Sequence, residues 1–201
     1  MTVRAAAAAA IATLLPAVLA AQWGGYLALG ARGGTALVRD RIVAPIDVRQ
    51  DLGPVVGAGI TSPSDGPWSG EAALDVTFTG MTRSESGASI DLGSLTTWSF
   101  SVAVRRTLAP GLAARAGAGA LFYQPGGESG IFSAGTGGTA PLLMIGATYA
   151  PAGGRRYGFA LDLRYDAHRF ITPALESVGF DEARVVHRIA LTARAGFGGT
   201  R

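Results

Sequence analysis

The chain of 201 residues has no cysteine and no lysine, so all 17 of its basic residues are arginine. Without thiols there are no disulfides, no thiolate metal sites, no cysteine nucleophile and no cysteine to carry an N-terminal lipid. Without lysine there is neither a Walker A lysine nor a Schiff-base lysine. Charge is also scarce, at 15% of residues, and the formal net charge is only +3. The arginines are spread along the chain with no basic block that would track phosphates, so nucleic acid is not an expected partner. Beyond the N-terminus no run of 18 apolar residues occurs, which excludes a membrane-spanning helix there. Histidine is limited to His168 and His187.

The first 20 residues differ from the rest. MTVRAAAAAAIATLLPAVLAAQ places one arginine, Arg4, before an apolar run that ends in small residues at Ala20 and Ala21. This is the layout of a secretory signal peptide, and the run is short for a spanning helix. We expect residues 1–20 to be a cleaved signal and 21–201 to form one domain. Loss of Arg4 would lower the net charge by one.

After residue 22 the dominant pattern is alternation with a period of two, the mark of strands. In EAALDVTFTGM, Leu74, Val76 and Phe78 alternate with Asp75, Thr77 and Thr79. In TWSFSVAVR, Trp98, Phe100, Val102 and Val104 alternate with Ser99, Ser101, Ala103 and Arg105. LAARAGAGALFY sets Ala114 to Phe122 against Arg115, Gly117, Gly119, Leu121 and Tyr123. YGFALDLRYDAHRF sets Phe159, Leu161, Leu163 and Tyr165 against Asp162, Arg164, Asp166 and His168. RVVHRIALTARAGF sets Ile189, Leu191, Ala193 and Ala195 against Arg188, Thr192 and Arg194. With the fainter segments 25–32, 52–60 and 142–149 these make eight strands. Pro54 cannot donate to a ladder and suits only the start of its strand.

The connections alternate between short, as in RTLAPG and APAGGRR, and long, over about 33–51, 82–97, 124–140 and 171–183. Transmembrane barrels carry short turns at one end and long loops at the other. Aromatic residues gather at the segment ends. Trp23, Tyr26, Tyr149, Tyr157 and Phe197 fall at the short-turn end, and Trp98, Phe122, Tyr123, Tyr165 and Phe170 at the other. Tyrosine and tryptophan favour the membrane interface because part of each side chain is apolar and part forms hydrogen bonds. We therefore expect an all-β, eight-stranded antiparallel up-and-down transmembrane barrel with two aromatic girdles. Its N-terminus and short turns would lie in the periplasm. A soluble barrel or sandwich, secreted or periplasmic, explains the alternation equally well, but explains less well the sparse charge, the girdles and the aliphatic middle.

On these features the sequence resembles the eight-stranded outer-membrane β-barrels of the OmpA-like transmembrane-domain type. The resemblance covers residues 22–201 and rests on pattern and architecture rather than on one motif. It implies an outer-membrane location in a Gram-negative-type envelope. Family members usually end in an aromatic residue within a final strand that the assembly machinery reads. Here Phe197 is followed by GGTR, and Thr192 stands where a glycine is usual. We expect no second domain after the barrel.

In a barrel of eight strands the lumen is just wide enough for side chains to fill. Asp162, Arg164, Asp166 and His168 would point inward and meet Arg105, Arg115, Arg188 and Arg194 in a network of ion pairs. His187 would face lipid, so the two histidines do not form a metal pair, and no cofactor is expected. A lipid-directed hydrolase would need His168 with Ser177 or Glu176, but their spacing does not favour a triad. The glycine-rich GGESGIFSAGTGG lacks GK[ST] and reads as a surface loop, with Ile131 and Phe132 either offered to a partner or folded back on the rim. The expected role is that of a monomeric, non-enzymatic barrel in contact with outer-membrane lipid, serving structure, or interaction and adhesion through its long loops. The competing expectation is a lipid-modifying enzyme or small-ligand binder at the rim. An aqueous pore is disfavoured, since porins need about 16 strands.

Overall fold

In the computed structural model each alternating segment forms a strand, and the strands pair in an antiparallel ladder that closes on itself. The structure describes residues 23–40, 46–85, 87–127, 131–132, 137–151, 157–177 and 182–198. The expected signal segment lies outside them. The elements are β1 (Gly24–Gly34), β2 (Ala36–Asp40), β3 (Ile46–Gln50), β4 (Gly53–Thr61), β5 (Trp68–Glu85), β6 (Ala88–Ala109), β7 (Leu112–Pro125), β8 (Thr139–Tyr149), β9 (Tyr157–Phe170), the single-turn helix α1 (Pro173–Ser177) and β10 (Arg184–Gly198). The ring runs β1-β4-β5-β6-β7-β8-β9-β10 and closes where β10 pairs with β1, from Gly24 opposite Gly198 to Gly34 opposite Arg188. Pro54 sits at the second position of β4, where the missing N–H costs the ladder least.

The structure corrects the lengths of two expected loops. Residues 33–51 hold β2 and β3, which continue β1 and β4 as a hairpin and pair onto the upper part of β5. Residues 82–97 are almost wholly strand, because β5 and β6 run on together to Glu85 and Ala88. Gly87 makes that tight turn with a φ of 87°, a conformation costly for any residue with a Cβ. These segments, TRSES and ASIDLGS, lack the apolar alternation because they stand beyond the apolar band.

Burial is inverted relative to a water-soluble protein. Phe159 is 76% exposed and Leu143 68%, whereas Arg188 and Asp166 are each 1% exposed. Leu27, Leu29, Val102, Ile145, Leu161, Ile189 and Leu191 continue the exposed apolar face around the ring. The reading as a soluble β protein fails here, because it required the apolar face to be the inner one. Lipid is the environment in which such a surface is stable, and closure leaves no unpaired strand edge in it. Leu161 stands near the middle of the band on β9. Leu161→Arg should destabilise the folded barrel by about 2–4 kcal/mol in lipid vesicles, as read from urea titration. A neutral result would contradict the lipid-facing register.

The β2–β3 hairpin carries exposed ion pairs. Asp47 accepts from Arg39 Nε at 2.6 Å and from Arg49 Nη2 at 3.2 Å. These bonds, that from Arg39 foremost, hold the Asp47 carboxyl below its ordinary range. A depressed carboxyl contributes stability above its unfolded value near pH 4 and loses it as pH falls through the lower folded value. Amide exchange in the hairpin should therefore quicken below about pH 4. In Asp47→Asn the acid-induced change should be smaller.

Candidate functional site in the barrel lumen

Strand parity decides which side chains reach the lumen, since alternate residues point to opposite faces. On β9 it delivers Asp162, Arg164, Asp166 and His168, all buried. Inward positions on β1, β5, β7 and β10 add Arg32, Glu71, Asp75, Arg115, Arg188 and Arg194, also buried. The groups sort into two tiers along the barrel axis.

The tier nearer the short turns joins Glu71 and Asp162 to Arg115 and Arg194. Arg115 Nη2 lies 2.6 Å from Asp162 Oδ2, and its other terminal nitrogen is paired with Glu71. Arg194 Nη2 lies 3.1 Å from Asp162 and 3.3 Å from Glu71. The Tyr26 hydroxyl donates to Glu71 at 2.8 Å, and the Thr148 hydroxyl donates to Asp162 at 2.7 Å. The Arg194 guanidinium also lies 4.0 Å from the centre of the Tyr26 ring, in a cation–π contact.

The second tier joins Asp75 and Asp166 to Arg32, Arg164 and Arg188. Arg164 Nε lies 2.5 Å from Asp166 Oδ1, and Arg164 also pairs with Asp75. Arg188 Nη2 lies 3.1 Å from Asp166 Oδ2, while Arg32 reaches Asp75 at 3.5 Å and Asp166 at 3.9 Å. Thr77 accepts from Arg32 at 3.0 Å. Buried charges of this kind persist only when paired and hydrogen-bonded.

Above the second tier the lumen turns apolar. Leu37, Val48, Met81, Leu95, Leu121, Leu142, Phe170, Leu175 and Val186 form one buried cluster. Tyr123 bridges the polar and apolar parts, its hydroxyl hydrogen-bonded to His168 Nε2. Ile131 and Phe132 fold back into this cluster instead of facing outward, and are only 6% and 2% exposed. The Thr172 hydroxyl donates to the Ile131 carbonyl at 2.5 Å and accepts from Leu175 N at 3.3 Å, so it caps α1 and tethers the 131–132 segment together.

Most of the expected lumen residues thus meet one another, but four assignments change. Arg105 lies on the inward register but is half-exposed at the short-turn mouth. It makes no ion pair among the described residues, because Arg115 and Ser69 are its register partners. Tyr26 belongs to the lumen rather than a girdle, since it shares parity with Ala28 and Arg32. Tyr123 and Phe170 are likewise inward. Phe122 and Tyr149 are exposed on the lipid face, and Trp23, Trp98, Tyr165 and Phe197 are partly exposed. The side chain of Tyr157 lies outside the described residues. A girdle position missed in the sequence is Trp68, 55% exposed with the Arg106 guanidinium 5.0 Å from its ring centre. Arg32, Glu71 and Asp75 were missed as lumen partners, although the parity that selected Asp162 selects them too.

His168 does not meet the groups a hydrolase would need. Its Nε2 faces Tyr123, and the Ser177 hydroxyl donates to the Ala174 carbonyl at 2.8 Å. His187 lies on the lipid face, where its Nδ1 is 2.6 Å from the Tyr165 hydroxyl. Among the described residues no three His, Asp or Glu side chains converge in a way that would hold a metal ion.

No family model matches the chain, and no curated protein matches it in sequence. Solved structures do match. Ail, the attachment invasion locus protein of Yersinia pestis, in complex with the heparin analogue sucrose octasulfate, superposes with a TM-score of 0.52 at 12% identity, over 88% of this chain and 99% of that one. A second Ail structure gives 0.50 at 14% identity over the same shares. Neisserial surface protein A gives 0.49 at 11% identity, over 89% and 97%. A closed ring of eight strands, a lipid-facing apolar band and the likeness to Ail make this chain, by its fold, an eight-stranded outer-membrane β-barrel.

Proposed function

We propose that the protein is a closed, non-enzymatic barrel whose long-loop end faces outward and serves as a structural or adhesive interaction surface. The observation that carries this reading is the filling of the lumen: two tiers of ion pairs lie beneath an apolar plug that includes Ile131 and Phe132. A lumen so filled does not favour solute passage, and among the described residues it presents no aligned nucleophile and base. The elaboration beyond the bare barrel lies at one end, in the β2–β3 hairpin, the extended β5–β6 pair and α1. After removal of residues 1–20 as a signal, the chain would stand as a monomer in outer-membrane lipid.

Charge constrains the partner. The long-loop segments 35–52, 79–96, 124–141 and 169–184 together carry six Arg and nine Asp or Glu. A surface of that balance repels polyanions. The Ail complex contains a highly sulfated sugar, but this chain is better suited to a neutral or basic partner.

Orientation is the experiment that tests this reading. An epitope inserted after Gly130 should be reached by antibody on intact cells, whereas one after Gly153 should be reached only once the outer membrane is permeabilised. Both positions lie in glycine-containing connections, where insertions are usually tolerated. Exposure of the Gly153 tag on intact cells would place the long loops in the periplasm and end the adhesive reading. Stepwise single-channel conductance of the purified barrel in a planar bilayer would end the closed-lumen reading.

A further inference from the structure

The charges in the lumen do not balance. Among the described residues, the buried lumen holds five guanidinium groups, from Arg32, Arg115, Arg164, Arg188 and Arg194. It holds four carboxylates, from Glu71, Asp75, Asp162 and Asp166. The tier nearer the short turns is neutral, with two of each. The whole surplus falls in the second tier, where three arginines share two aspartates. Arg164 holds the closest contacts to both acids, and Arg32 reaches them only at 3.5 and 3.9 Å. Arg32 is therefore the surplus cation, and it is only 3% exposed. A buried ion without a counter-charge is strongly unfavourable.

Geometry shows where a counter-charge would sit. Arg32 and Arg188 direct their Nη2 atoms at the same oxygen, Asp166 Oδ2, from 3.9 and 3.1 Å, so these nitrogens are no more than 7.0 Å apart. Asp166 Oδ2 lies between them, so an anion accepting from both sits to one side of that oxygen, at the usual length of a charge-assisted bond. The Nε atoms of Arg32 and Arg188, and Nδ1 of His168 above them, are buried without a hydrogen-bond partner among the described residues. The wall here is made of small residues. Ala190 is the register partner of Arg32, and a Cβ on Gly34 would come within 3.1 Å of the Arg188 stem.

We infer that the lumen binds one small monovalent anion between Arg32 and Arg188, which brings five positive charges against five negative. Deepening the closed-barrel reading, this assigns the lumen a ligand of the halide or small-carboxylate class. The apolar plug blocks the long-loop end and the tier of Glu71, Asp162, Arg115 and Arg194 fills the lumen below the site, so the anion is enclosed as the barrel folds and exchanges only slowly, on opening of that tier toward the short-turn mouth.

Crystals of the full mature chain grown in sodium bromide should show an anomalous peak between the Arg32 and Arg188 guanidinium groups, weakened when excess sodium acetate is added at constant bromide if the site takes carboxylates. A bromide peak confined to the protein surface, an adventitious ion only, would overturn the assignment, as would no bromide peak at all. Stability gives a second reading that needs no crystal. In lipid vesicles the urea midpoint of the wild type should rise when potassium gluconate is replaced by potassium chloride at equal ionic strength. Arg32→Gln removes the surplus charge, so its midpoint should exceed the wild type's in gluconate and show no chloride dependence. A wild type indifferent to chloride, or an Arg32→Gln variant as chloride-sensitive as the wild type, would refute the site. If Arg32→Gln fails to fold, the wild-type chloride response and the bromide peak still decide it.

Discussion

Asp166→Ala should cost the folded barrel about 3–5 kcal/mol, the usual penalty for leaving buried charges without their partner. Asp166 is 1% exposed and receives Arg164 at 2.5 Å and Arg188 at 3.1 Å, with Arg32 at 3.9 Å. Its loss would leave Arg32 and Arg164 with Asp75 alone and Arg188 with no carboxylate among the described residues. The control is Asp65→Ala in the exposed β4–β5 turn, where the change should stay within about 0.5 kcal/mol. Urea titration in lipid vesicles, followed by the mobility of unboiled protein on gels, gives both numbers. Asp166→Asn keeps the shape and removes the charge, so a cost close to that of Asp166→Ala would assign the effect to charge rather than to a cavity. Adding Arg32→Gln to Asp166→Ala should recover part of the loss, because these groups interact and their effects are not additive. Equal effects at Asp166 and Asp65 would mean that Asp166 is not buried among the arginines and that the lumen is open to water at its level.

The same register explains which parts of the molecule were legible in the sequence. All eight barrel strands follow from alternation, because lipid outside and packed polar groups inside impose a strict period of two. Where the wall leaves the membrane that constraint ends. The β2–β3 hairpin and the upper β5–β6 ladder are polar on more than one face, so their sequence reads as loop although the backbone continues as strand. Within the lumen, parity alone puts Asp162, Arg115, Arg188 and Arg194 on the inward face, and it puts Arg32, Glu71 and Asp75 there too. Tyr26 has the residue type and the strand-end position of a girdle residue, but parity turns it inward. Its hydroxyl is needed inside by Glu71. The failure of Arg105 to join the network has another cause. Parity fixes the face of a side chain but not its depth, and Arg105 stands one step beyond the acids, at the mouth. The inward fold of Ile131 and Phe132 is not legible in the sequence, since a glycine-rich segment carries no period from which its direction follows. What draws the pair in is the apolar end of the lumen, which would otherwise meet water.

That apolar end leads to the second large effect. Phe132 is 2% exposed, and its ring centre lies 5.9 Å from both Tyr123 and Phe170, tilted to the first and edge-on to the second. Truncating a phenylalanine in such a setting costs about 3–5 kcal/mol when the surroundings cannot collapse. In this protein the segment hangs on a loop, so part of the cost can be met by local opening rather than by global unfolding. The expected result for Phe132→Ala is therefore divided between two measurements. The urea midpoint should fall, and the 126–138 loop should be cut faster by protease added to the long-loop side of intact vesicles. Ile90→Ala provides the comparison, since Ile90 is 50% exposed on the extended β6 and should change neither reading much. Planar-bilayer conductance then separates the plug from the charge tiers. Phe132→Ala alone should remain closed to ions, because the two tiers of ion pairs still fill the barrel beneath it. Steady conductance from the single variant would show that the plug, and not the arginine–aspartate network, is what closes the lumen. An unchanged midpoint with an unchanged rate of proteolysis would instead place the Phe132 ring outside the barrel, against solvent, and the outer end of the lumen would then have to be closed by other side chains.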